Sequence, residues 1–143
     1  MAIEVLSGFR LEWPITGDLV TLRAAVRAFG IGAGLTERRL SDLVLAASEA
    51  AATVIGHGGG GTLIAWSDGG GVSLEIVDVT GALSMAYWTV EADPDLLSGQ
   101  DVGFWLLRRL CDEIGLDDSD DTPRLHLRFR HRARQNGDRR VHV

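Results

Sequence analysis

The sequence predicts an α/β (α+β sandwich) domain, with a mixed, mostly antiparallel sheet of about four strands and three helices packed on one face. Two observations carry this expectation. Three short segments alternate apolar and polar residues, the mark of half-buried strands, and between them apolar residues recur at spacings of three and four, the mark of amphipathic helices. Their order is strand, helix, helix, hairpin, long connection, helix, strand, which lays helices on one side of the sheet.

Phe9-Arg10-Leu11-Glu12-Trp13 alternates and is expected to stop at Pro14. Gly17 or Asp18 opens a helix carrying Leu19, Leu22, Val26 and Phe29, which ends near the glycines 30–34. A second helix runs from Thr36, a suitable N-cap, to about Gly56, with Leu40, Leu43, Val44, Ala47, Ala51, Val54 and Ile55 forming its buried stripe. Gly58 to Gly61 cannot continue it. They read as a helix stop and turn, because no Lys-Ser or Lys-Thr follows to make a phosphate loop. Residues 62–66 and 72–77, joined through Asp68-Gly69-Gly70-Gly71, read as a β-hairpin that delivers Asp78 at its end.

Residues 79–101 show no convincing period, and connections of that length tend to be lids or binding elements. The next helix is expected from Gly103 to Ile114, with Leu106, Leu107, Leu110, Cys111 and Ile114 inward. Asp117 to Asp121 reads as a solvated acidic turn, since it lacks the ligand spacing of a calcium loop. Arg124 to Phe129 alternates and closes the sheet, with His126 exposed on its polar side. Trp13, Trp66 and Trp105 fit core or sheet-face positions.

Composition bounds the function. The 143 residues suit one domain, placed at residues 7–130, followed by a basic, flexible tail at 131–143. From Arg128 onward six arginines face only Asp138, so the rest is more acidic than the net charge of −6. An acidic body repels phosphate backbones, which argues against a general nucleic-acid binder, and a tail directed at nucleic acid is the weaker reading. No apolar run spans a bilayer and the first residues lack a basic signal start, so the expected location is cytoplasmic, away from membranes. The single cysteine, Cys111, agrees with a reducing compartment and reads as a core residue rather than a nucleophile.

Ser48 to Gly58 is the most informative stretch. It sets one acid, Glu49, on a long apolar helix, off its buried stripe and four residues before Thr53, so the two share a face. Taken alone, Glu49 reads first as a solvated surface acid. His57 reads as a helix C-terminal cap or a contact for a ligand.

Together with Glu75-Ile76-Val77-Asp78, the run from Gly103 to Asp112 and Arg124 to Leu127, this stretch resembles the successive boxes of the histidine-kinase-like (GHKL, or Bergerat-fold) ATPase domain. The nearest likeness is to the short actinobacterial anti-sigma-factor serine kinases, over roughly Leu11 to Phe129. The resemblance implies a Bergerat-like fold and a site for ATP and Mg²⁺. Glu49 takes the place of the catalytic base. Thr53 stands where the family has the asparagine that offers an oxygen to Mg²⁺, and its shorter hydroxyl is a weaker metal position. Asp78 matches the acid that accepts the adenine amino group, but the box reads Asp78-Val79-Thr80-Gly81, with Gly81 one residue late. Gly103 keeps the second glycine of the phosphate box, and Asp101 stands where the first would be. At ~4 Å and an effective dielectric of ~20, such a carboxylate would repel a phosphate charge by roughly 4 kcal/mol. His57, Gly81 and Gly103 complete the implied nucleotide contacts.

Each box keeps one marker and loses another. The resemblance therefore implies an anti-sigma-factor-like regulator in a partner-switching circuit, binding a sigma factor and/or an anti-anti-sigma (STAS-type) protein, with impaired or absent ATP binding. The alternative is an active ATP- and Mg-dependent serine/threonine kinase acting on an anti-anti-sigma partner. Family members often pair as homodimers, and nothing in the sequence fixes the oligomeric state. In the connection, Met85, Tyr87 and Trp88 are either a satellite core or an interface anchor, with Tyr87 and Trp88 the candidate partner contacts.

Overall fold

A computed structural model describes residues 10–56, 60–78, 106–117 and 124–131. The elements are β1 (Arg10–Ile15), α1 (Leu19–Gly32), α2 (Glu37–Gly56), β2 (Gly61–Asp68), β3 (Gly71–Asp78), the helical residues 106–110 (α3), β4 (Glu113–Asp117) and β5 (Arg124–Arg130). The strands form one five-stranded sheet in the order β1-β2-β3-β5-β4, with every neighbouring pair antiparallel. The α+β class is as expected, with one strand more than about four.

The register sorts the side chains into two faces. Leu63 lies opposite Ile76, Ala65 opposite Leu74, and Leu74 opposite Leu127, and all of these are fully buried under the helices. Each large apolar side chain so buried contributes about 1.5–3 kcal/mol. α2 meets this layer through Leu43, Ala46, Ala47, Ala50, Ala51 and Val54. The four alanines let the helix axis come close to the strands. Val44 and Ile55, expected in the stripe, are only half-buried at its margin. On the other face Trp66 stacks on His126, ring centroids 5.8 Å apart. His126 is therefore half-covered rather than simply exposed.

Local chemistry sets the element ends. Asp18 caps α1, its carboxylate accepting from the Thr21 backbone N–H at 3.1 Å and the Thr21 hydroxyl at 2.6 Å. Gly34, at φ 86°, takes the left-handed turn that releases the chain toward α2. In the β2–β3 turn Arg128 forks onto Asp68 with bonds of 2.8 and 2.9 Å. Those bonds and the Gly70 N–H hold the Asp68 carboxyl down at about 2.

Two expectations fail at element ends. β1 runs through Pro14 to Ile15, because β1 is an edge strand and a proline there can direct its missing N–H away from β2. The last helix ends at Leu110 instead of reaching Ile114, and Glu113 to Asp117 is β4, which also takes Asp117 out of the acidic turn. The change of course occurs at Cys111 and Asp112. Cys111 N–H still bonds the Leu107 carbonyl, whereas Asp112 N–H already bonds the Arg128 carbonyl of β5. Beyond this point Ile114 and Leu116 alternate with exposed neighbours, a strand period that the preceding leucines mask.

Asp112 also anchors the polar centre of the fold. Its carboxylate accepts from Arg39 Nη2 at 2.5 Å and from the Arg130 backbone N–H at 2.8 Å. Arg39 in turn donates to Asp42 at 2.7 Å and to the Arg130 carbonyl at 3.1 Å, and its guanidinium lies 5.7 Å from the Phe129 ring centroid. Both side chains of the Arg39–Asp112 pair are about 5% exposed. Removing one partner strands the other charge away from water, which typically costs about 3–5 kcal/mol. Asp112→Ala should lower the unfolding free energy by that amount in a urea titration. A loss below about 1 kcal/mol would show that the pair is not holding α2 to the sheet.

Candidate functional site

The candidate site is built on the last two turns of α2. Glu49 and Thr53 are both half-buried, beside the fully buried Ala50 and Val54 that fix the helix rotation. The preceding residue, Ser48, accepts a bond from Arg23 Nη1 at 3.1 Å, tying α2 to α1 at this level. The Thr53 hydroxyl donates to the Glu49 carbonyl oxygen at 3.0 Å. That is the back-bond of a threonine within a helix, and it holds the hydroxyl against the helix backbone.

Chain connectivity brings Asp78 to the same end of the molecule. α2 ends at Gly56, β2 starts at Gly61, and Gly61 is paired with Asp78, the last residue of β3. Ile15 pairs with Gly61 and Arg124 pairs with Val77, so they mark this end too. Residues 57–59, 79–105 and 118–123 all connect to strands or helices here, and they lie outside the described residues. Among the expected site residues, Glu49, Thr53 and the Asp78 backbone thus share one end of the fold. His57, Gly81, Gly103, Tyr87 and Trp88 fall outside the described residues, as do Met85 and Asp101.

α2 thus carries one acid near its C-terminal end, and the last residue of β3 is a second acid at the same end of the fold. Residues 15–130 match the family model for the histidine kinase-like ATPase domain. The chain belongs to this family. No curated protein matches it. The ATPase domain so defined covers every described strand except β1, of which it includes only Ile15.

Of the two side chains at this end of α2, Glu49 offers a carboxylate and Thr53 a single hydroxyl oxygen whose proton is committed to the helix backbone. Among the described residues no group of three or more histidine, cysteine, aspartate or glutamate side chains is arranged to hold a metal ion.

Sequence reasoning missed the Arg39–Asp112 pair. A signal was present in that Arg39 extends the stripe of Leu43, Ala46, Ala50 and Val54 by one turn, at a position where an unpaired charge is not tolerated. Cys111 behaves as expected. Burial, with the nearby negative charge of Asp112, pushes its thiol up to about 12, and Sγ donates to the Leu107 carbonyl at 3.0 Å. Its thiolate fraction at pH 8 is then depressed by up to about a thousandfold relative to an ordinary cysteine. Iodoacetamide at pH 8 should label the folded protein at least about a hundredfold more slowly than the urea-unfolded chain. Equal rates would place the thiol at an open surface.

Proposed function

We propose that this ATPase domain works as an anti-sigma-factor-like regulator in a partner-switching circuit, capturing a sigma factor and/or an anti-anti-sigma (STAS-type) protein with its nucleotide chemistry impaired. The observation that carries the reading is Thr53. At the position from which the family supplies an oxygen to Mg²⁺, this chain has a short hydroxyl turned back on the Glu49 carbonyl. The other departures act on the same ligand. Asp101 adds negative charge where phosphates would lie, and Thr80 delays Gly81 in the adenine box. Two of the changes, Thr53 and Asp101, converge on the Mg²⁺-triphosphate and support loss of its binding while the fold remains as a binding surface. Cytoplasmic location, partner contact through Tyr87 and Trp88, and a flexible basic tail after residue 130 belong to this proposal.

The second reading is an active serine/threonine kinase, favoured by the retention of Glu49 and Asp78. In it ATP with Mg²⁺ supplies the phosphoryl group, and Glu49 accepts the proton of the attacking hydroxyl. The two readings separate in one assay. The purified chain and its Glu49→Ala variant are incubated with labelled ATP, Mg²⁺ and anti-anti-sigma proteins, and complexes with those proteins and with sigma factors are measured alongside. The proposal expects stable complexes unaffected by ATP or by Glu49→Ala, and no label transfer above the variant's background. Label transferred to a serine or threonine and lost in Glu49→Ala would establish the kinase. Absence of any complex would remove the partner-switching role.

A further inference from the structure

The two edges of the described sheet differ in what they offer a neighbour. β4 carries Glu113, Gly115 and Asp117 on one face, all exposed, so two copies of β4 laid side by side bring acids together. β1 carries Arg10 and Glu12 on the face away from the helices, one charge of each sign, 49% and 58% exposed and bonded to each other at 2.8 Å. On the helix side β1 borders an apolar groove of about 410 Å³ lined by Leu11, Trp13, Thr21, Ala24, Ala28 and Phe29. The outer side of α1 continues it, with Val20 69% and Ile31 58% exposed and the small exposed Ala24 and Ala28 between them. An edge with one charge of each sign, beside an apolar strip that the described residues leave open, suits a second copy of the same surface.

We propose that β1 pairs antiparallel with β1 of a second copy of this chain, about a two-fold axis at Leu11. The backbone groups of Leu11 and Trp13 turn to β2, which leaves those of Arg10, Glu12 and Pro14 facing outward, where Pro14 has no N–H to lose. A pair of edges therefore closes with these outward residues directly across from one another, and the side chains select the register. Setting Arg10 across from the partner's Arg10, or Glu12 across from the partner's Glu12, opposes like charges. Setting Glu12 across from the partner's Pro14 forfeits a backbone bond in each pair. Arg10 across from the partner's Glu12 avoids both faults. Each such pair exchanges both backbone bonds and joins opposite charges, and Leu11 meets the partner's Leu11 between them as a non-hydrogen-bonded pair, Cα atoms about 4.5 Å apart. The axis stands perpendicular to the sheet, so both helix layers lie on one side and the apolar groove of each copy adjoins that of the other.

Sedimentation of the full chain and its variants, joined to cysteine crosslinking, tests both the dimer and the register. The proposal expects a dimer whose dissociation constant rises at least about tenfold in Arg10→Glu and returns toward its starting value in Arg10→Glu/Glu12→Arg, which reverses the charge pair. Because burial pushes the Cys111 thiol up to about 12, a cysteine introduced on β1 reacts with its own counterpart in preference to Cys111. Mild oxidation of Leu11→Cys should then give a covalent dimer, since the two Cα atoms lie within disulfide reach. Trp13→Cys should give none, because four residues along antiparallel strands separate its two copies by about 13 Å. A chain that stays monomeric up to about 1 mM overturns the proposal. A dimer that ignores Arg10→Glu, or that crosslinks through Trp13→Cys and not through Leu11→Cys, overturns it as well.

Discussion

One buried cation organises the far end of this domain. Arg39 sits in the first turn of α2, but its guanidinium reaches Asp112 at the junction of α3 and β4, the Arg130 carbonyl at the end of β5, and Asp42 one turn along its own helix. A charge taken out of water this completely persists only where it is well partnered, and here each guanidinium nitrogen donates one bond. The consequence is positional. With its N-terminal turn fixed to β5, α2 behaves as a ruler, and the 14 residues from Arg39 to Thr53 carry the helix about 21 Å to the opposite end of the sheet. Glu49 and Thr53 arrive there beside the end of β3, on a helix whose rotation is set by alanines pressed onto the strands.

Separating the clamp from the site divides the labour of the fold. At the clamp end the chain is closed by short turns and charge-assisted bonds, including the Arg128 fork on Asp68 and the His131 N–H on the Gly70 carbonyl. Gly71 is needed there because a Cβ would collide with the Phe129 carbonyl. At the opposite end lie the last turns of α2 with Glu49 and Thr53, and the end of β3 at Asp78, both carried by the packed helix and sheet.

The legible parts of the sequence were those governed by local rules. The Asp18 cap, the α2 span and the β2–β3 hairpin follow from capping, period and turn chemistry, each contained in one continuous stretch of at most 20 residues. The illegible parts depended on distant partners. Pro14 stops an isolated strand but is tolerated at an edge, and nothing near it in sequence marks β1 as the edge. Ile114 continues a helical spacing from Leu107 and Leu110, yet Asp112 is drawn to Arg128 and Arg39, and the chain straightens into β4. For the site, the sequence named Glu49, Thr53 and Asp78, and the fold sets Glu49, Thr53 and the Asp78 backbone at one end. The direction of the Thr53 hydroxyl needed coordinates, because a threonine within a helix chooses between solvent and the carbonyl four residues back.

The central claim is that this domain has kept the ATPase fold and weakened its hold on Mg²⁺-bound nucleotide. Calorimetric titration with ATP and with ADP, each with and without Mg²⁺, tests it most directly when repeated on Asp78→Asn. The account predicts no binding tighter than about millimolar, roughly −4 kcal/mol, and no gain on adding Mg²⁺. Micromolar ATP binding that requires Mg²⁺ and disappears in Asp78→Asn would contradict it.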